Sequence, residues 1–138
     1  MLQSPDFQKD FILQTDASDR GVGAVLSQLD ADNLDHPVAY FSRKLLPREM
    51  RYSTVEKECL AVKLGIQAFQ TYLMGRQFIV ETDHRALEWL DRFRGTNARL
   101  MRWSLFLQGY DFSVRHRSGT QNANADALSQ TYEESASN

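Results

Sequence analysis

Four acidic residues stand at places in the sequence where their carboxylates could hold metal ions together. Asp16 and Asp83 each end a short apolar run that is typical of a strand, and ligands of open α/β sheets bind at the carboxyl ends of strands. Glu58 lies beside the apolar stripe of a helical pattern, and Asp126 lies among small residues near the end of the chain. Carboxylates are the ligands that Mg²⁺ and Mn²⁺ prefer. The pattern therefore predicts a metal–carboxylate site and does not by itself name a reaction.

Each of these acids also has an ordinary structural explanation. Asp16 or Asp83 could begin a turn or cap the following helix, as Asp commonly does. Glu58 could extend into solvent from the edge of the stripe, and Asp126 could be an exposed residue of a last helix. Taken singly, no acid decides between the two explanations.

Glu58 is positioned by a strong helix signal. Ser53 and Glu56 form the S-x-x-E capping box of a helix N-terminus. This box gives Glu56 a structural role, and Glu58 remains at the edge of the buried stripe, facing the sheet. The stripe recurs at spacings of three and four and consists of Val55, Cys59, Val62, Ile66, Phe69 and Leu73. The pattern predicts a helix that ends near residues 74–75.

The other elements are predicted from apolar periodicity and turn residues. Strands are expected at residues 11–16, 22–27, 37–42, 77–82 and 110–116, and further helices at 84–90, 97–107 and 123–129. A strand, a helix and another strand in succession favour parallel pairing. We therefore predict an α/β fold with a five-stranded mixed β-sheet, in the order βββαβααβα, flanked by helices.

Composition fits one globular domain. The 138 residues are 42% hydrophobic and 25% charged, and no apolar run approaches the roughly 18 residues of a membrane span. The polar first ten residues predict no secretory signal. The one cysteine, Cys59, fits a reducing compartment. The net charge of −2 argues against nucleic-acid binding by bulk charge alone, without excluding a nuclease.

Five strings in the sequence resemble the ribonuclease H domain of Ty3/gypsy-type (LTR retrotransposon) reverse transcriptases, and they follow the order of that family. They are TDASDRGVGAVLSQ around Asp16, VAYFSRKLLP, YSTVEKECLAV around Glu58, FIVETDHRALEWL around Asp83 and NANADALSQ around Asp126. The resemblance implies a ribonuclease H-like fold.

The resemblance also implies domain boundaries. It assigns residues 1–10 to an N-terminal segment left from the junction with a polymerase domain. Residues 11–130 would form the ribonuclease H domain, and residues 131–138 a flexible polar tail.

By this resemblance, the chain would hydrolyse the RNA strand of RNA–DNA hybrids during reverse transcription, leaving 5′-phosphate and 3′-hydroxyl ends. Asp16 would bridge two Mg²⁺ ions, with Glu58 and Asp83 on one side and Asp126 on the other, and Mn²⁺ could substitute. The implied partners are the hybrid and the polymerase domain of the same polyprotein. No membrane and no small-molecule cofactor are expected. The implied location is a cytoplasmic retroelement particle.

Substrate contacts follow from the same resemblance. Proteins distinguish RNA from DNA through the 2′-hydroxyl, and the turn after the first acid approaches the hybrid in this family. Ser18, Arg20 and the backbone near Gly21 are therefore candidates, with His84 and Asn122 as further ones.

Two other features are less specific. His116 could act as an auxiliary group near Asp126, or it could be an ordinary packed or surface histidine. The lysine-rich protrusion of many relatives is replaced by four arginines, which could contact phosphates or simply lie in solvent; they are Arg92, Arg94, Arg99 and Arg102. We therefore expect weak binding of the hybrid by this domain alone.

Two other functions compete with the nuclease. The first is a catalytically silent scaffold or hybrid-binding module, which is disfavoured because such domains usually lose a metal ligand and all four acids are present here. The second is an integrase or transposase of the same general fold, which would not carry the NADALS and TDHRAL strings. Fold similarity alone is weak support for a function.

Overall fold

An antiparallel meander begins the fold. The structure is a computed structural model that describes residues 4–116. Its first strands are β1 (Phe11–Ala17), β2 (Gly21–Leu29) and β3 (Asp35–Lys44). The three predicted strands are confirmed, but β2 and β3 are longer than predicted. Their hydrogen-bonded ladder runs from the pair Gly21–Lys44 to the pair Leu29–Asp35, and its polar ends carry no apolar signal.

Three helices connect the meander to the rest of the sheet. They are α1 (Pro47–Met50), α2 (Thr54–Ala68) and α3 (Gln70–Leu73). The capping box of α2 is confirmed, because Ser53 Oγ accepts from the Glu56 amide at 3.2 Å and Glu56 Oε1 accepts from the Ser53 amide at 3.1 Å.

The predicted end of the helical segment near residues 74–75 is confirmed, since α3 ends at Leu73 and Met74 is its C-cap, but the prediction of one unbroken helix is wrong. The helix breaks at Phe69, whose φ and ψ of −108° and 27° are not helical, and α3 follows. The apolar stripe hides this break, because Phe69 and Leu73 stay buried on both sides of it. The short helix α1 was not predicted; Pro47 at its first position suits a helix start.

The second half of the described chain adds two parallel strands. β4 (Gln77–Thr82) is followed by α4 (His84–Phe93), α5 (Ala98–Gln108) and β5 (Asp111–His116). The strand order is β3-β2-β1-β4-β5, with β4 parallel to both β1 and β5. The predicted five-stranded mixed sheet is confirmed. The predicted last helix and tail lie outside the described residues, so the domain boundaries stay predictions.

The main core lies between the sheet and α2. A Cβ atom at Gly65 would lie 3.2 Å from both Ala24 Cβ and Thr15 Cγ2, so glycine allows α2 to approach β1 and β2 closely. The predicted stripe is confirmed, since Cys59, Val62 and Ile66 are 0% exposed. In the part of the chain that the structure covers, no helix is both long and apolar enough to cross a membrane.

Candidate functional site

The parallel pairing of β1 with β4 sets the positions of Asp16 and Asp83. The register joins Leu13 to Val80 and Gln14 to Glu81, an offset of 67 positions. If this register is extended by two residues beyond the pair of Gln14 and Glu81, Asp16 is level with Asp83. Asp16 is 7% exposed near the end of β1, and Asp83 follows the last residue of β4. The sequence-based prediction that these two aspartates are neighbours therefore agrees with the register.

Asp83 also has the structural role that was the alternative to metal binding. It is the N-cap of α4, and its Oδ1 accepts a hydrogen bond from the Arg85 amide at 3.0 Å. The Arg85 guanidinium lies 3.3 Å and 3.4 Å from its two carboxylate oxygens. The side chain of Asp83 is 41% exposed. A helix cap and a metal ligand use the same kind of oxygen, so the two roles are compatible.

Glu58 lies where α2 packs against α4. Its neighbour Cys59 donates its thiol hydrogen to the Ala86 carbonyl oxygen in α4 at 3.1 Å, and Ala86 is three residues beyond Asp83. Glu58 is half-buried, and its Oε2 atom is buried. This packing places the second predicted acid on a helix next to the one that Asp83 begins.

The thiol of Cys59 takes no part in the candidate chemistry. Burial, reinforced by the charges of Glu58 and Glu56, raises the pKa of this thiol to about 12. It therefore stays protonated near neutral pH, and thiolate is the nucleophilic form. Its role is packing.

The predicted substrate turn is held rigidly beside α2. The Ser18 amide donates to the Gly21 carbonyl at 2.9 Å, and the Gly21 amide donates to Ser18 Oγ at 3.2 Å. Lys57 on α2 donates to the Asp19 carbonyl at 3.2 Å. Arg20 is exposed, whereas Gly21 is buried at the start of β2. Sequence reasoning missed the bridging role of Lys57, which lies next to Glu58.

A polar cluster on the sheet face opposite α2 was also missed. Gln14 Nε2 donates to Glu81 at 3.0 Å and to Asp35 at 3.1 Å, and Arg115 forms an ion pair with Glu81. Glu81 is 0% exposed. The four residues come from four strands, and Gln14 and Glu81 each precede a predicted acid by two positions. We call these four residues the polar brace.

The remaining predicted site residues are less well placed by the structure. His84 is exposed and pairs with Glu88 at 3.0 Å. His116 is exposed at the end of β5, level with Thr82, so it is a surface histidine whose auxiliary role stays a prediction. Asn122 and Asp126 lie outside the described residues. Within residues 4–116, no three His, Cys, Asp or Glu side chains are grouped as a metal site by themselves. The four-ligand site therefore stays a prediction.

Comparison with known proteins identifies the family. The family described as the RNase H-like domain found in reverse transcriptase matches residues 6–110. The Retrovirus-related Pol polyprotein from transposon 297 of Drosophila melanogaster is 44% identical over 129 residues, which cover 94% of this chain and 12% of that protein. The transposon Tf2-3 polyprotein of Schizosaccharomyces pombe is 41% identical over 138 residues, covering 97% of this chain and 10% of that protein.

A solved structure shows the same fold. LC11-RNase H1, determined in complex with an RNA/DNA hybrid, superposes with a TM-score of 0.66 at 16% identity and covers 94% of this chain and 100% of its own. The family match, the two polyprotein relatives and this fold agree with the resemblance seen in the sequence strings. The chain belongs to the RNase H-like domain family found in reverse transcriptases.

Proposed function

We propose that this chain is a ribonuclease H that cuts the RNA strand of RNA–DNA hybrids during reverse transcription. The observation that carries the proposal is the parallel register of β1 and β4, which brings Asp16 level with Asp83 in a chain of this family. The contact of Cys59 on α2 with Ala86 on α4 supports the assignment of its neighbour Glu58 to the same site.

The residues present suit two Mg²⁺ ions, with Mn²⁺ as a substitute. Asp16, Glu58, Asp83 and Asp126 would hold them, and all four offer the carboxylate oxygens that these cations prefer. Asp16 and the Oε2 atom of Glu58 are buried, and a buried carboxylate is costly unless charge compensates it. When bound, a pair of such ions activates the attacking water and stabilises the leaving oxygen, giving 5′-phosphate and 3′-hydroxyl ends.

The protein itself would position the hybrid. The turn at Ser18 and Arg20 follows Asp16 in the chain and is joined to α2 by the hydrogen bond from Lys57 to the Asp19 carbonyl. It would contact the groove of the hybrid that displays the 2′-hydroxyls. His84 and Asn122 are further candidates for such contacts. The chain spans about a tenth of the polyprotein relatives' length. We therefore expect the polymerase domain of the same polyprotein to supply further affinity, within a cytoplasmic retroelement particle.

One observation favours a second function, a catalytically silent hybrid-binding module. Arg85 engages the carboxylate of Asp83 through both oxygens, so a cation there would compete with this guanidinium. Arg85 is 88% exposed, and exposed ion pairs are weak, roughly 0–1 kcal/mol. The pair is therefore a small obstacle to metal binding, and the nuclease is the better-supported function.

Cleavage of a labelled RNA–DNA hybrid tests the proposal. The intact protein should cut the RNA strand only with Mg²⁺ or Mn²⁺ present, and the fragments should carry 5′-phosphates. Asp83→Asn should abolish cutting because it removes a metal ligand and keeps the shape of the side chain. Asp91→Asn is the matched control, since Asp91 is an exposed aspartate on the same helix.

Two outcomes would overturn the proposal. One is cutting that Asp83→Asn leaves intact. The other is a protein that binds the hybrid but does not cut it, alone or joined to its polymerase domain, which would establish the silent module instead.

A further inference from the structure

A groove between α1, α2 and α5 forms a second concave surface, separate from the predicted acids. Its volume is about 520 Å³, within the usual range of roughly 300–1,000 Å³ for ligand sites. Its floor is apolar, with Leu60 and Trp103 3% and 6% exposed. One carboxylate, Glu49, lines it beside five cationic side chains: Arg43, Arg48, Lys63, Arg99 and Arg102. We call this surface the basic groove.

Two of the five cations are neutralised within the protein. Arg43 donates to both oxygens of Glu49 at 3.0 Å, and Arg99 forms an ion pair with Glu56. The other three take part in no ion pair within residues 4–116; they are Arg48, Lys63 and Arg102. On a chain of net charge −2, the basic groove is thus a local excess of positive charge.

The aromatic rings of the groove are already covered by cations. The Arg99 guanidinium lies 4.2 Å from the centroid of the Tyr52 ring and 5.4 Å from that of Trp103. Lys63 Nζ lies 5.6 Å from the centroid of Phe106. Unpaired bases bind by stacking on open ring faces, and a cation covers one face of each of these rings. The groove therefore presents charge to phosphates more readily than it presents rings to bases, which favours a duplex over a single strand.

The basic groove shares α2 with the candidate site, although Glu58 and Lys63 lie on different sides of this helix. Glu58 and Lys63 lie five residues apart on this helix, a rise of roughly 7–8 Å along its axis. The ion pair between Glu56 and Arg99 ties the start of α2 to α5.

We propose that the basic groove binds the phosphate backbone of a nucleic-acid duplex. The identity of that duplex as the RNA–DNA hybrid rests on the proposed function. Cations that form no ion pair with a carboxylate release counterions when they meet phosphates, and this release drives binding. Three cations on three different helices suit a backbone with regularly repeated charge. Glu58, a predicted ligand of the nuclease site, lies on the same helix as Lys63, and this shared helix favours nucleic acid over an acidic protein segment.

The salt dependence of duplex binding tests this proposal. Fluorescence anisotropy with EDTA present measures binding of a labelled hybrid without cutting. Arg48→Gln, Lys63→Gln and Arg102→Gln should each reduce the slope of log K against log salt by up to about 0.9, and the triple variant by about 2–3. A DNA duplex should show the same loss, because phosphates and not 2′-hydroxyls are contacted.

The control is Lys9→Gln, which removes an exposed charge outside the groove and should leave the slope unchanged. Arg43 and Arg99 are kept because they neutralise buried or half-buried carboxylates. Thermal unfolding of each variant checks that its fold is intact.

The outcomes separate this proposal from the proposed function. A triple variant with the wild-type slope overturns the groove as a duplex site, even if the protein cuts hybrids. A wild-type protein that binds no duplex overturns it as well. A reduced slope in a protein that never cuts supports the groove and contradicts the nuclease. Binding of poly-glutamate that only the triple variant loses, with duplex binding unchanged, would make the groove a protein-docking surface and overturn the proposal.

Discussion

The two faces of the sheet are built from different kinds of residue. Leu13 and Gln14 are neighbours in β1, and both are at most 2% exposed. Leu13 points to α2, since it lies 3.5 Å from the position of a Cβ at Gly65. Gln14 points to the opposite face and joins the polar brace. One face is held by apolar packing and the other by hydrogen bonds and an ion pair.

The two faces contribute differently to the fold: one mainly supplies stability, and the other selects the register in which β4 pairs with β1. A slip of β4 against β1 by two residues would return the apolar side chains to the same face, so apolar contacts discriminate weakly against it. The same slip would take the buried Glu81 carboxylate away from the Gln14 amide, and a buried polar group without its partner is costly. We infer that packing against α2 supplies most of the stability, whereas the polar brace selects the register that brings Asp16 level with Asp83.

The largest effect is expected on the apolar face. Leu13→Ala should lower the free energy of unfolding by about 4 kcal/mol, because a fully buried leucine is replaced by a cavity. Urea denaturation measures the loss, and an unchanged slope against urea concentration would show that the unfolding reaction is the same. If Leu13→Ala lowered the free energy of unfolding by less than Arg115→Met does, the proposed division between the two faces would be contradicted.

A somewhat smaller effect is expected in the polar brace. Arg115→Met should cost about 3 kcal/mol, because it leaves the carboxylate of Glu81, whose side chain is 1% exposed, without its cation. The double variant Glu81→Gln/Arg115→Met should recover much of that loss, since no buried charge remains. A double variant as unstable as the single one would show that lost packing, and not the uncompensated charge, is responsible.

The smallest effect is expected for an ion pair at the edge of the sheet. Burial alone would raise the pKa of Glu49, but hydrogen bonds from Arg43 and the Leu46 amide outweigh it, and the pKa lies below 4.5. Glu49→Gln should cost about 1 kcal/mol at neutral pH.

The pH dependence of this variant provides a second check. A lowered pKa stabilises the fold above the unfolded value and loses that contribution as the pH falls through the folded value. The stability difference between Glu49→Gln and the wild type should therefore shrink on acidification in urea titrations. A difference that stays constant with pH would contradict the ionic origin of the effect.

Local signals in the sequence were sufficient for most of the fold. The capping box at Ser53 and the stripe on α2 involve residues within one helix, so both could be predicted. The break at Phe69 could not, because its side chain remains buried and continues the apolar periodicity. The helix α1 is four residues long, too short to show a period.

The candidate site was only partly predictable. That Asp16 and Asp83 are level could be predicted from their positions at strand ends, and the register agrees. The polar brace, in contrast, depends on pairing between distant strands. The sequence contains one signal for the polar brace: Asp16 is preceded by Gln-Thr, and Asp83 is preceded by Glu-Thr. For Arg99 the sequence predicted a phosphate contact or a solvated side chain, and not the ion pair with Glu56, because the two residues are 43 positions apart.

The strand order also determines when the parts of the molecule can come together during synthesis. β1 can pair with β2 as soon as the meander has left the ribosome, whereas its other neighbour, β4, ends at Thr82. Until then one edge of this central strand has no partner, and open edges are prone to pair with other chains. The two aspartates belong to segments made at different times. The nascent domain therefore cannot complete the predicted acidic site while its first half emerges.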